Sequence, residues 1–156
     1  MQTRPDVMIL DTDRNRTKSL RRILRESRSD LLVEEISDAG SVRESILTRR
    51  PRLVLLHSTF PAPDGDCASL LELTRHTNLG VMLVLPISGS LLYRSGYQDG
   101  MEMLDQADDI ITTDFTSYMV QSVVVNYLDR RAVRQEAAEV VGAVQPELAF
   151  APIKRI

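Results

Sequence analysis

The sequence predicts an α/β domain in which a parallel sheet is covered by helices on both faces. Three observations carry that prediction. Strand-like and helix-like segments alternate five times along 156 residues, a pattern that gives parallel strands joined by right-handed crossovers. Two of the strand-like runs, Leu53–Leu56 and Val81–Leu85, are apolar throughout instead of alternating, as strands buried on both faces are. The first polar residue after Leu53–Leu56 is His57, which puts an imidazole just past the end of a central strand, where open α/β sheets bind ligands.

Length and composition narrow the classes. A chain of 156 residues makes one domain with a core of ordinary size. The formal net charge is -3, so a nucleic-acid backbone is not an expected partner. Cys67 is the single cysteine, which excludes an intrachain disulfide and any multi-cysteine metal site. No apolar run approaches the roughly 18 residues that span a bilayer. The start, Met1 to Asp6, is followed by only a short apolar run, unlike a secretory signal. The expected location is the cytoplasm, with no membrane contact.

Each element follows from its residues. Val7–Leu10 reads as strand one and ends in Asp11-Thr12-Asp13. Asp13 is a suitable N-cap for a helix to about residue 27, where Leu20, Ile23 and Leu24 form one stripe among arginines. Leu31–Ile36 reads as strand two. Val42, Ile46 and Leu47 mark a helix over about 39–49. Strand three, Leu53–Leu56, lies between Pro51 and the turn Pro61-Ala62-Pro63-Asp64-Gly65. A third helix starts at Asp64-Gly65 and reaches about Thr74. Val81–Leu85 is strand four, stopped by Pro86. A fourth helix spans about 90–104, weakened at Gly96 and Gly100 by about 1 kcal/mol each relative to alanine. Ile110–Thr112 is strand five. Asp114 or Thr116 caps a fifth helix carrying Met119, Val120, Val123, Val124, Tyr127 and Leu128. Its charged continuation, Asp129–Glu139, is longer than the sheet needs, and Pro146 onward reads as a tail. The expected division is a domain over 1–130 and a helical extension with linker over 131–156.

Three stretches in this order resemble the receiver domain of two-component response regulators. They are Ile9-Leu10-Asp11-Thr12-Asp13, the run from Pro51 through His57 to Gly65, and Ala107-Asp108-Asp109-Ile110-Ile111-Thr112-Thr113-Asp114-Phe115. The likeness covers about residues 5–130. It implies the flavodoxin-like, CheY-like sheet with strand order 2-1-3-4-5. It also implies a phosphoryl site, from which this sequence departs at almost every position. His57 stands where the family keeps its acceptor aspartate. Asp11 and Thr12 stand at the acidic pair that binds magnesium, so one carboxylate is gone. Thr113 replaces the lysine that contacts the phosphoryl group, and Asp114 replaces the proline after it. Pro86 stands about where a serine or threonine moves toward the phosphate, with Ser88 a poor substitute. Ile110 matches the switch aromatic.

Phosphoryl transfer to a carboxylate needs a cation to neutralise developing charge, and magnesium prefers an octahedral oxygen set. Asp11 beside an imidazole and a hydroxyl is a poor one. No metal, cofactor or catalysis is therefore expected. The leading expectation for His57 is a permanent hydrogen bond or ion pair with Asp11. Phosphohistidine and a transition metal held by His57, Asp11 and Asp13 are the alternatives. His76 reads as a solvated helix end, Cys67 as packed, and Asp108-Asp109 as a turn. Arg14, Arg16, Lys18, Arg21, Arg22 and Arg25 read as the solvated face of helix one, or else a docking patch for an acidic partner.

The resemblance implies a degenerate or pseudo-receiver: a phosphorylation-independent interaction and dimerisation module in bacterial signal transduction. The expected setting is the N-terminal regulatory part of a larger protein, such as a cyclic-di-GMP (GGDEF/EAL) protein or a transcription factor. A working regulator with atypical acceptor chemistry at His57 or Asp11 is the alternative. A flavodoxin-like ligand-binding domain is disfavoured because Thr12-Asp13-Arg14-Asn15 lacks the glycines that cradle a phosphate. The wide apolar arc on the fifth helix predicts a homodimer through helices four and five, with Leu92, Tyr93, Tyr97, Val120, Val124 and Tyr127 at the interface.

Overall fold

The computed structural model describes residues 3–60, 67–86 and 105–144. Five parallel strands form one sheet: β1 (Val7–Leu10), β2 (Val33–Ile36), β3 (Leu53–His57), β4 (Gly80–Leu85) and β5 (Asp109–Thr112). Their order is β2-β1-β3-β4-β5, the order expected. β3 sits in the middle, with Val7 to Leu10 opposite Leu53 to Leu56 on one side and Leu53 to His57 opposite Gly80 to Val84 on the other. Every residue of β1, β3 and β4 is buried, which is why these runs do not alternate.

Successive side chains of a strand point to opposite faces, and the core accordingly has two layers. Met8, Leu10, Val54, Leu56, Val81 and Leu83 pack on one face with α2 (Val42–Arg49) and α3 (Cys67–His76). Val7, Ile9, Leu53, Leu55, Met82 and Val84 pack on the other with α1 (Arg14–Ser27) and a C-terminal helix. That helix has three segments: an α-helical start at Ser117–Val120, a π-helical turn at Gln121–Val125, and an α-helix over Asn126–Val144. It runs unbroken past residue 130.

The caps and boundaries refine the sequence reading. Asp13 caps α1 by accepting from the amides of Asn15 and Arg16 at 3.0 and 3.1 Å. Thr116, not Asp114, caps the C-terminal helix, its hydroxyl accepting from the Met119 amide at 3.1 Å. Asp114 accepts a hydrogen bond from the Thr112 hydroxyl instead. β2 starts at Val33, two residues later than expected, because Leu31 closes a turn onto the Arg28 carbonyl. Leu47 is 49% exposed, so α2 buries only Val42 and Ile46 of its expected stripe. Cys67 is buried, as expected. The fourth helix and the start of the third fall outside the described residues.

The expected dimer surface needs correction. Val120 and Val124 have no exposed area; they lie in the core under α1 and the sheet, with Val125 and Leu128. The π-turn explains why so wide an arc is covered. Its i→i+5 spacing puts Val120 and Val125 on the same inward face, where an α-helix would rotate one of them outward. Tyr127 is half-buried and also turned inward. Its hydroxyl accepts from Arg131 Nη1 at 2.8 Å. Its ring lies against Gly80, where a Cβ would overlap the hydroxyl oxygen and fall 2.9 Å from two ring carbons. Val120 and Val124 are therefore not free for a partner, and Tyr127 is committed in part to Gly80 and Arg131. Leu92, Tyr93 and Tyr97 lie outside the described residues. Among the described residues, no helix is long and apolar enough to cross a membrane.

Candidate functional site

Because all five strands run parallel, their C-terminal ends meet at one edge. Asp11 and Thr12 follow β1, His57 ends β3, Pro86 follows β4 and Thr113 follows β5. The register brings Asp11 beside His57, since Leu10 pairs with Leu56. Thr113 is tied to β4 through its amide, which donates to the Leu85 carbonyl at 2.8 Å. The five residues read from the sequence thus share one end of the sheet. Asp11 and His57 are buried there, at 2% and 5% exposure, while Thr12 stays exposed.

Asp11 and His57 do not bond to each other, contrary to expectation. Asp11 is held by Arg16: Nε donates to Oδ2 at 2.5 Å and Nη2 to Oδ1 at 2.8 Å. The Asp13 amide donates to Oδ1 as well, at 2.9 Å. Arg16 belongs to the helix-one arginines expected to be solvated. It is instead the third residue of α1, and helical side chains lean toward the N-terminus, so its guanidinium overhangs the end of β1. Burial raises the need for a partner, and a bidentate guanidinium is the strongest one available to a carboxylate. The Asp11 hydrogen bond holds Arg16 above its usual pKa. The Arg16 amide, with smaller help from its charge, holds Asp13 below the usual carboxylate range.

His57 has a different partner. Its Nδ1 accepts from the Thr59 amide at 3.2 Å and lies 2.7 Å from the Thr59 hydroxyl. An amide can only donate, so Nδ1 carries the lone pair and the neutral ring's proton sits on Nε2. Burial pushes the His57 pKa below its ordinary value, and Arg16 adds to this; the charges of Asp11 and Asp13 oppose it. The site thus holds a neutral imidazole at neutral pH beside Arg16, whose guanidinium is shared between Asp11 and, at 3.5 Å, Asp13.

That set does not suit magnesium. Both oxygens of Asp11 are already occupied by a cation, and the other buried polar side chain beside it offers a nitrogen, which magnesium disfavours. The lone pair of His57 is on Nδ1, where Thr59 occupies it, and Nε2 carries the proton. Beside the site a cleft of about 530 Å³ opens between α1 and the loop after β5, lined among others by Arg16, Arg22, Thr113 and Ser117.

Sequence reasoning missed Arg16 and Thr59. Both had a local signal. Arg16 sits at the third helical position after the Asp13 cap, and Thr59 is two residues past His57, the reach of a Ser/Thr side chain folding back on a turn.

Neither a protein-family model nor a curated protein matches the sequence. Solved structures do match the fold. A CheY-like response regulator receiver domain protein from Methanospirillum hungatei JF-1 aligns with a TM-score of 0.66 at 18% identity, over 85% of this chain and 99% of that one. The receiver domain of NtrX from Brucella abortus aligns with a TM-score of 0.63 at 20% identity, over 80% and 98%. In a longer NtrX structure from the same organism the match takes in 88% of this chain but 30% of that chain, with a TM-score of 0.68. The fold is that of CheY-like receiver domains.

Proposed function

We propose that this chain is a pseudo-receiver: a signalling module with the receiver fold that acts by protein contact, without phosphorylation and without catalysis. The observation that supports this most is the Asp11–Arg16 pair. In the receivers that the fold resembles, an acidic pair recruits magnesium and an aspartate takes the phosphoryl group. Here a guanidinium built into α1 holds the remaining carboxylate, and a buried neutral imidazole takes the acceptor position. The internal cation occupies both oxygens of Asp11 with no ligand added.

The protein contacts proposed are of two kinds. One is a covalently linked or separate output module. The NtrX match supports it, because there the same fold makes up less than a third of a longer chain, and the unbroken C-terminal helix offers a rigid connection. Transcription factors and cyclic-di-GMP enzymes are the expected outputs. The other is a second copy of the chain, pairing through the 90–104 segment and the outer face of the C-terminal helix. Tyr118 and Val133 on that helix are 79% and 65% exposed.

The deciding experiment is incubation of the chain with acetyl phosphate and magnesium, followed by intact mass. The mass should not change. A stoichiometric gain of one phosphoryl group, lost in His57→Ala or Asp11→Asn, would overturn the reading. Light scattering should report about twice the 17.6 kDa chain mass; a monomer at every concentration would remove the dimer from it.

A further inference from the structure

The opposite end of the sheet carries a second concentration of charge. Arg4 precedes β1, Arg50 caps the C-terminal end of α2, Arg52 leads into β3, and Arg131 lies on the C-terminal helix. The chain folds them onto one rim. Arg4 Nε donates to the Arg50 carbonyl. The Arg52 amide donates to the Pro5 carbonyl at 3.1 Å, and its carbonyl accepts from the Gly80 amide at 3.2 Å. Arg131 Nη2 donates to the Asn78 carbonyl, two residues before Gly80, at 2.6 Å.

Arg4 lies in the field of the other three cations. Burial, and then the charges of Arg52, Arg131 and Arg50, hold Arg4 below its usual pKa; Asp6 is the acid that opposes them. Asp6 is itself shared, lying 3.4 Å from Arg52 Nε and accepting from the Leu32 amide. The four guanidiniums outnumber the carboxylates that face them, Asp6 beside Arg4 and Arg52 and Asp108 beside the Tyr127 hydroxyl that Arg131 holds.

Backbone conformation points the same way. Arg50 is in the left-handed region, φ 47°, at a helix end where glycine is unstrained and a side chain is not. A cation stands there nonetheless. Asn78, φ 57°, is the other left-handed non-glycine residue among those described, and its carbonyl is the one that Arg131 takes. Asparagine adopts that conformation readily, so the strain is that of Arg50 alone.

We propose that Arg4, Arg50, Arg52 and Arg131 form a binding site for a compact polyanion bearing two or more linked phosphates, which bridges the body of the domain to its C-terminal helix. The guanidinium fork matches phosphate oxygens two at a time. Each arginine has five N–H donors, and Arg131 spends only two on Tyr127 and Asn78. A diphosphate would neutralise the excess charge. Because three of the arginines are on the body and the fourth is on the helix, its binding would also tighten the helix's attachment. This site is independent of the proposal made for the Asp11–Arg16 end.

The test is calorimetric titration of the whole chain with inorganic pyrophosphate at fixed ionic strength. One pyrophosphate should bind with Kd below about 1 mM. Arg4→Gln and Arg52→Gln should each weaken it about tenfold, while Arg22→Gln, on the other cationic face, should not. Pyrophosphate should also raise the unfolding temperature more than sodium chloride of matched ionic strength. Co-sedimentation with vesicles containing a phosphatidylinositol bisphosphate, present or absent, distinguishes a lipid headgroup from a free ligand as the source of the phosphates. The proposal is overturned if pyrophosphate does not bind, if the two variants bind as tightly as the parent chain, or if chloride gives the same thermal shift.

Discussion

Replacing Arg16 with alanine probes the candidate site most directly. The substitution removes both guanidinium bonds from Asp11 and leaves it only the Asp13 amide, at 2.9 Å. Asp11 is 2% exposed and the Arg16 side chain 20%, so the pair is largely but not wholly removed from water. Stranding one partner of a buried pair costs about 3–5 kcal/mol. Water entering the space vacated by the side chain lowers that figure, and a cost of about 2–3 kcal/mol is expected. For a chain of this length, 1 kcal/mol moves the unfolding temperature by about 2–4 °C, which makes the drop about 4–12 °C. Urea unfolding should give the same loss at an unchanged slope. A double-mutant cycle with Asp11→Asn should return a coupling of about 2 kcal/mol, because the neutral amide no longer needs the cation. Arg22→Ala, an exposed arginine of the same helix, should change stability by less than about 0.5 kcal/mol. If Arg16→Ala behaves like Arg22→Ala, or the cycle shows no coupling, the internal-cation account of this site is wrong.

Two further outcomes follow from the geometry. His57 has a folded-state pKa below its unfolded value of 6.5, so the unfolded chain binds more protons between those two values. Its contribution to stability is complete above 6.5 and declines as pH falls toward the folded value; the difference in stability between the parent and His57→Gln should therefore narrow as pH is lowered from about 7 to about 5, and a constant difference would refute the neutral, desolvated imidazole. Gly80→Ala should cost about 1–3 kcal/mol by overpacking, since the new methyl would meet the Tyr127 ring and hydroxyl; the cost should shrink in a Tyr127→Leu background, and an equal cost in both backgrounds would mean that Tyr127 is not the obstacle.

How far the fold was legible depends on what kind of signal each element left. The apolar runs of β1, β3 and β4 announced a sheet covered on both faces because a strand with water on one side would have alternated. The Asp13 cap was legible because capping is a local bond between neighbours in the chain. Periodicity was less informative for the C-terminal helix. It reported correctly that Val120, Val124 and Tyr127 sit on an apolar arc, but an arc says that something covers it, not what. The cover is the chain's own sheet and α1, reached through a π-turn that leaves no mark in a pattern read at the α-helical period.

The site divides along the same line. The sequence alone placed Asp11, Thr12, His57, Pro86 and Thr113 at the ends of parallel strands, because residue identity there is a property of the chain. It also brought Asp11 and His57 together, since the order of parallel strands fixes which ends are neighbours. Only the tertiary structure decided who bonds to whom. Asp11 took Arg16 over His57, and His57 took Thr59, because a buried carboxylate gains more from a two-pronged permanent cation than from an imidazole that burial keeps neutral. That choice depends on distances, directions and desolvation, which are set when β1, β3 and α1 pack and cannot be read from spacing along the chain.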